Sequence, residues 1–111
     1  MAKVSLSAEA ERDLIQIKDY ISTELNNPSA ANRTLSKITK RVGELSKFPE
    51  LGTKLETIVP FQSEYRFLVC GNYLAFYSFH ENVVQVDRIM YGRRDFVKEL
   101  FGDLPKDSNR D

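Results

Sequence analysis

Few side chains in this sequence are equipped for covalent or metal chemistry. Cys70 is the only cysteine and His80 the only histidine. A lone cysteine forms neither an internal disulfide nor a thiolate cluster, and one Cys with one His is too little for a zinc site, so no metal and no cofactor is expected. A nucleophilic Cys70 needs a base beside it, and His80 is the nearest candidate. Cys70 sits in an apolar run, however, where a small core residue is the better reading. His80 falls at a hairpin tip, where an exposed histidine is expected rather than a general base. What remains is a set of basic residues in the strand-rich second half, Arg66, Arg88, Arg93 and Arg94, with Tyr91 among them. Arginine clusters with a tyrosine, histidine or glutamate can stabilise a crowded phosphate and move protons without a metal. Each also has a structural reading. Arg66 pairs with Glu64 or Glu81 across a sheet, and Arg88 pairs with the adjacent Asp87. Arg93 and Arg94 anchor a turn with Asp95 and cap the helix after it. Glu50 and Glu56 serve as a base only where a loop brings them to the arginines.

The elements that must position these residues follow from hydrophobic spacing. Residues 3–6 form a short first strand. Ser7 is a good helix N-cap, with Glu9 and Glu11 placed where the helix terminus favours negative charge. Ala10, Leu14, Ile17, Ile21 and Leu25 then recur at spacings of four and three, one apolar stripe on a helix of about five turns. Asn26-Asn27-Pro28 ends it and starts the next, Asn27 as cap and Pro28 at the first helical position. A second stripe runs Ala31, Leu35, Ile38, Val42, Leu45, Phe48, and so short a linker makes the two helices an antiparallel hairpin. Phe48-Pro49-Glu50-Leu51-Gly52 stops the second helix. Residues 53–63 read as a connecting loop with one short strand. Strand formers dominate 65–70, 73–79 and 83–91, joined by the tight turns Gly71-Asn72 and His80-Glu81-Asn82. Gly92 breaks the last strand. Residues 94–101 read as a short final helix with Phe96, Val97, Leu100 and Phe101 on its apolar side, and 102–111 as a disordered tail.

The expected fold is therefore α+β, in the order β-α-α-β-β-β with a short C-terminal helix: an N-terminal strand and an antiparallel helical hairpin packed on a small antiparallel sheet. One domain over residues 1–101 suits a chain of 111 residues, of which 41% are hydrophobic and 29% charged. The N-terminus turns polar before any apolar run develops, and no stretch approaches a membrane span, so a cytoplasmic protein with no signal peptide and no membrane partner is expected. Sixteen basic and sixteen acidic residues cancel. Neutrality lowers the expectation of a nucleic-acid binder, although a local basic patch would suffice for one.

Four blocks carry a family resemblance. Leu6-Ser7-Ala8-Glu9-Ala10-Glu11-Arg12-Asp13-Leu14 with Ile17-Lys18-Asp19-Tyr20-Ile21 resembles the opening of ParE-type toxins. Leu45 to Gly52 resembles the end of their second helix and its exit turn, Gly71 to Tyr77 their central hairpin, and Arg88 to Asp95 their last strand and the turn after it. The order, spacing and chain size together identify the chain as resembling the RelE/ParE superfamily of type II toxin–antitoxin toxins, closer to ParE. The resemblance implies a growth-inhibiting toxin of the plasmid-stabilisation type, neutralised by a cognate antitoxin. One face of the sheet, left open by the helical hairpin, would offer the partner a binding surface unless the final helix and loop 53–63 cover it.

The superfamily holds two chemistries. ParE-like members bind DNA gyrase and block it; RelE-like members cut messenger RNA on the ribosome. For ribonuclease chemistry the resemblance implies catalytic roles for Arg66, Tyr91, Arg93 and Arg94. Three departures count against it. Leu74 stands where the central RelE arginine belongs, and Leu68 where a lysine does. No tyrosine follows Arg94 either; Tyr91 lies before Gly92 instead. A missing central arginine removes transition-state stabilisation worth several kcal/mol. The expected function is gyrase inhibition, with mRNA cleavage as the alternative and a non-toxic partner-binding module of an antitoxin repressor complex as a third.

Overall fold

The computed structural model describes residues 1–93; Arg94, the helix expected over 94–101 and the tail over 102–111 lie outside the described residues. The first helix, α1 (Ala8–Asp19), starts where Ser7 Oγ accepts the Ala10 N–H at 2.9 Å, with Glu9 and Glu11 in its first turn. It does not end at Asp19 but widens into a π-helical turn over Tyr20–Glu24. Ser22 and Thr23 donate their hydroxyls to the carbonyls of Lys18 and Asp19, and Leu25 N–H reaches back five residues to Tyr20 O at 3.1 Å. The chain reverses at Asn26 (φ 49°), and Asn27 Oδ1 caps α2 (Pro28–Gly43) by accepting the Ala30 N–H at 3.1 Å. A 3₁₀ turn, Glu44–Ser46, prolongs α2.

Most of the two predicted stripes face the core. Ala10, Ile21, Ala31, Ile38, Val42 and Leu45 are buried, and Leu14 and Ile17 pack against them. Their ends depart from it. Leu25 is 55% exposed because the wide turn rotates it off the stripe, and Phe48 is 60% exposed because the chain has already left the helix.

The strands are β1 (Lys3–Leu6), β2 (Thr53–Lys54), β3 (Arg66–Cys70), β4 (Tyr73–His80) and β5 (Val83–Tyr91), in the spatial order β1-β5-β4-β3-β2. The expected three-strand antiparallel meander is β3 to β5, and β2 extends it by pairing antiparallel with β3. The first strand joins it at the far edge, parallel to β5, with Lys3 opposite Val83 and Leu6 opposite Val86. Gly71 (φ 66°) makes the β3–β4 turn, and Glu81 and Asn82 (φ 50° and 64°) make the β4–β5 turn in the paired left-handed conformation that matches strand twist. Phe76 pairs with Arg88 but Tyr77 with Val86, so Asp87 is an extra residue, a bulge in β5.

Two apolar layers result. Under the helices lie Leu68, Ala75, Tyr77, Val84, Val86 and Ile89. On the opposite face Phe67, Leu74 and Phe76 pack with Leu55, Ile58 and Val59, from the segment that follows β2. Part of that second face is therefore covered by the chain itself, as the covering alternative for loop 53–63 requires.

Candidate functional site

Arg66 and Tyr77 sit opposite each other on β3 and β4, and together they hold the turn that leaves the second helix. The Tyr77 hydroxyl, fully buried, donates to Pro49 O at 2.8 Å and accepts the Gly52 N–H at 2.9 Å. Burial pushes this phenol above its ordinary value. Gly52 is required by space: a Cβ there would lie 2.7 Å from Phe67 O and 2.8 Å from the Tyr77 ring and hydroxyl. Arg66 Nη1 donates to Gly52 O at 2.9 Å and Glu50 O at 3.3 Å. Its partners are turn carbonyls, and the expected cross-strand pairing with Glu64 or Glu81 is absent. Glu64 instead meets His80 at 2.6 Å, both well exposed.

The bulged segment of β5 faces α1 where β1 has run out. Asp13, nearly buried, accepts Arg88 Nε at 2.8 Å and Nη2 at 2.9 Å, and also the Ile89 N–H at 2.8 Å. Burial raises the Asp13 carboxyl, but the Arg88 and Ile89 hydrogen bonds outweigh it and hold the group below its ordinary value. The expected pairing of Arg88 with its neighbour Asp87 is not formed. In-line neighbours on a strand point to opposite faces, and the bulge leaves Asp87 to accept the Tyr65 hydroxyl. That hydrogen bond raises the Tyr65 phenol. Ser7, already the cap of α1, donates its hydroxyl to Asp87 O at 2.9 Å.

Between α1, the start of α2 and the end of β5 lies an open groove of roughly 880 Å³. Ile17, Ile21, Tyr73 and Ile89 line its depth; Tyr20, Leu25 and Tyr91, respectively 55%, 55% and 71% exposed, stand at its rim. Tyr20 and Leu25, five residues apart across the π-helical turn, both line the groove. Tyr91 meets Tyr73 edge to face, with ring centroids 5.6 Å apart. Burial, then the two neighbouring tyrosines, push the Tyr73 phenol up. The Tyr65 and Tyr77 hydroxyls act as donors, to Asp87 and to Pro49 O. The groove is suited to an apolar segment of a protein partner.

Of the sequence-expected site residues, Arg66 and Tyr91 lie apart on the sheet. The register places Arg66 opposite Tyr77 and Tyr91 opposite Tyr73. Four residues along β4 and two strand spacings across separate them, about 16 Å in all. Arg93 is exposed just past Gly92, whose N–H bonds Asn72 O at 2.8 Å, and Arg94 lies outside the described residues. Leu68 and Leu74 are buried at 1% and 0% exposure, one in each apolar layer, so neither position has room for a charged side chain. Cys70 is buried too, its thiol pushed up to about 11 by desolvation. Sequence reasoning missed the Asp13 anchor and the groove. Asp13 carried a readable signal: it follows Ala10 by three and precedes Ile17 by four, a carboxylate inside the apolar stripe.

Comparison with known proteins agrees with this architecture. In solved structures, a chain of the chromosomal ParDE toxin–antitoxin system from P. aeruginosa superposes with a TM-score of 0.69 at 21% identity, over 84% of this chain and 98% of that one. A chain of the RelBE2 toxin–antitoxin complex from Mycobacterium tuberculosis superposes at 0.58 and 18% identity, over 81% and 96%. At such identities the likeness is one of fold. A search of curated protein sequences finds no match. A family model, the ParE toxin of the type II toxin–antitoxin system parDE, matches residues 4–96. That span runs from the first strand through the hairpin and the whole sheet, and by it this chain belongs to the ParE toxin family and is the toxin of a type II toxin–antitoxin system.

Proposed function

We propose that this toxin acts by binding DNA gyrase, not by cleaving messenger RNA, and that a cognate antitoxin neutralises it through the groove beside α1. The observation that carries the first part is the state of the sheet. Leu68 and Leu74, at the positions where resemblance to RelE calls for cations, are core residues. Arg66 already donates to two turn carbonyls, and about 16 Å separates it from Tyr91. Cleavage needs donors gathered around one phosphate, within hydrogen-bond reach of where charge develops. A protein inhibitor needs only a complementary surface.

The second part is supported by the solved relatives, which belong to toxin–antitoxin systems, and by the groove. Its exposed Tyr20, Leu25 and Tyr91 are the kind of large anchors that dominate protein interfaces.

Controlled expression in bacteria, with DNA and protein synthesis labelled separately, tests the target. Early DNA damage and filamentation with amino-acid incorporation maintained is the expected outcome. Early loss of incorporation with intact DNA sinks the gyrase reading in favour of the ribonuclease. Soluble protein without any growth effect points to the non-toxic partner-binding module.

A further inference from the structure

Charge is segregated in this neutral chain. Residues 25–43, which include all of α2, hold Arg33, Lys37, Lys40 and Arg41 and no carboxylate. The remaining residues therefore hold 12 cations against 16 carboxylates. Arg41 is occupied, with Nη1 on Glu44 at 2.7 Å and Nε on Val69 O at 3.1 Å. Arg33, Lys37 and Lys40 have no ion pair among the described residues, and all three are exposed. Each sits two positions after a member of the core stripe Ala31, Leu35 and Ile38, a rotation of about 200° at 3.6 residues per turn, so they form an exposed stripe, with the Lys37 stem lying over the β3–β4 turn, 3.2 Å from where a Cβ on Gly71 would stand. Ser36 lies on the same face, and Asn32 and Thr39 flank it, all three exposed.

We infer that the outer face of α2 is a docking surface for the phosphate backbone of duplex DNA. Three cations without a carboxylate partner, of which Arg33 donates only a long 3.4 Å bond to the Ser29 hydroxyl, stand among amide and hydroxyl groups, and such side chains contact phosphate oxygens. At about 1.5 Å per residue the cations span about 10 Å of helix, roughly three base-pair steps of 3.4 Å. The face holds no aromatic residue, so it lacks the stacking platform that single strands require. It also has no large apolar anchor, so it lacks the centre of a protein–protein interface. The choice of DNA over RNA rests on the gyrase reading, since a gyrase inhibitor works beside gyrase-bound duplex.

The test is fluorescence anisotropy of a labelled 20-base-pair DNA duplex titrated with the full chain. Micromolar affinity at 50 mM NaCl is expected, weakening about 40-fold at 200 mM, as release of counterions from about three phosphates requires. The triple substitution Arg33→Gln, Lys37→Gln, Lys40→Gln, with its fold checked by circular dichroism, should lose at least 30-fold in affinity and most of the salt slope. The control triple Arg12→Gln, Lys18→Gln, Lys54→Gln should match the wild type. Equal losses in both triples would overturn the assignment to α2, and so would binding without salt dependence. Tighter binding to the same sequence as duplex RNA overturns the DNA assignment, and displacement by polyglutamate at matched charge replaces it with an acidic protein. Gyrase supercoiling measured in parallel separates the two proposals. Inhibition without duplex binding overturns this inference alone, whereas duplex binding without inhibition supports the stripe and overturns the gyrase reading.

Discussion

Asp13 holds Arg88 in a two-point grip, Oδ2 to Nε at 2.8 Å and Oδ1 to Nη2 at 2.9 Å, across the join between the first helix and the last strand. The same carboxylate takes the Ile89 N–H that no strand pairs, because β1 ends at the partner of Val86. One side chain thus substitutes for the missing strand, and it does so at one end of the groove.

Asp13→Ala should destabilise the protein by about 2 kcal/mol, read as a lower urea midpoint at unchanged slope, because it orphans a buried N–H as well as a half-exposed arginine. Arg88→Ala should cost less, about 1 kcal/mol, since Ile89 keeps its acceptor. Equal losses would show that the charge pair, rather than the capped strand edge, matters.

The depressed Asp13 carboxyl also predicts a pH dependence. A group whose folded value lies below its unfolded one contributes stability that is complete above the unfolded value, near 4 for an ordinary carboxylate, and is lost as pH falls through the folded value. Urea midpoints should decline below about pH 4, and the decline should be shallower in Asp13→Asn. An identical decline in both proteins would assign the acid sensitivity to other carboxylates.

Gly52→Ala should be among the more damaging single changes to the exit turn, about 2–3 kcal/mol, because its methyl group meets a backbone carbonyl and the buried Tyr77 ring at under 3 Å. Tyr77→Phe keeps the ring but strips two hydrogen bonds, leaving the Gly52 N–H buried without its acceptor, for about 1–3 kcal/mol. Thermal unfolding of both variants is the measurement. A neutral Gly52→Ala would mean that the turn relaxes freely.

Arg66→Ala loses the donors to the exit turn and should cost about 1 kcal/mol of stability. Under the gyrase reading its inhibitory activity per folded molecule stays within a few-fold of wild type at 25 °C. A thousand-fold loss with the fold intact would return Arg66 to a catalytic role.

Tyr20→Glu with Tyr91→Glu should cost no more than about 1 kcal/mol of stability, the edge-to-face contact of Tyr91 with Tyr73, since both residues are more than half exposed, yet weaken the complex with the cognate antitoxin at least 100-fold. Titration calorimetry checks it. Undiminished affinity would move the antitoxin away from the groove.

Much of the architecture was legible in the residues. Spacing marked both helices, Ser7 and Asn27-Pro28 marked their starts, and Gly71-Asn72 and His80-Glu81-Asn82 marked the hairpins, because each is a local preference of the backbone, although His80 proves to be the last residue of β4. Long-range partners were not legible. The parallel pairing of β1 with β5 joins the two ends of the described chain, and the bulge at Asp87 decides which side chains face α1. Arg88 was readable as an ion-pair residue and Arg66 as a structural one, but their partners, Asp13 and two turn carbonyls, depend on which helix and loop end up beside each strand. The π-helical turn arises from two hydroxyls bonding back to the helix, a competition that hydrophobic spacing does not register, and it is what sets Leu25 beside Tyr20 at the groove.

The most direct test of the target is made with purified components: supercoiling of relaxed plasmid by DNA gyrase, and mRNA integrity in a reconstituted translation reaction, each with equal amounts of the toxin. Inhibited supercoiling with accumulation of cleaved gyrase–DNA complexes, and intact mRNA, is the predicted result. Unimpaired supercoiling together with mRNA cut on the ribosome would contradict it.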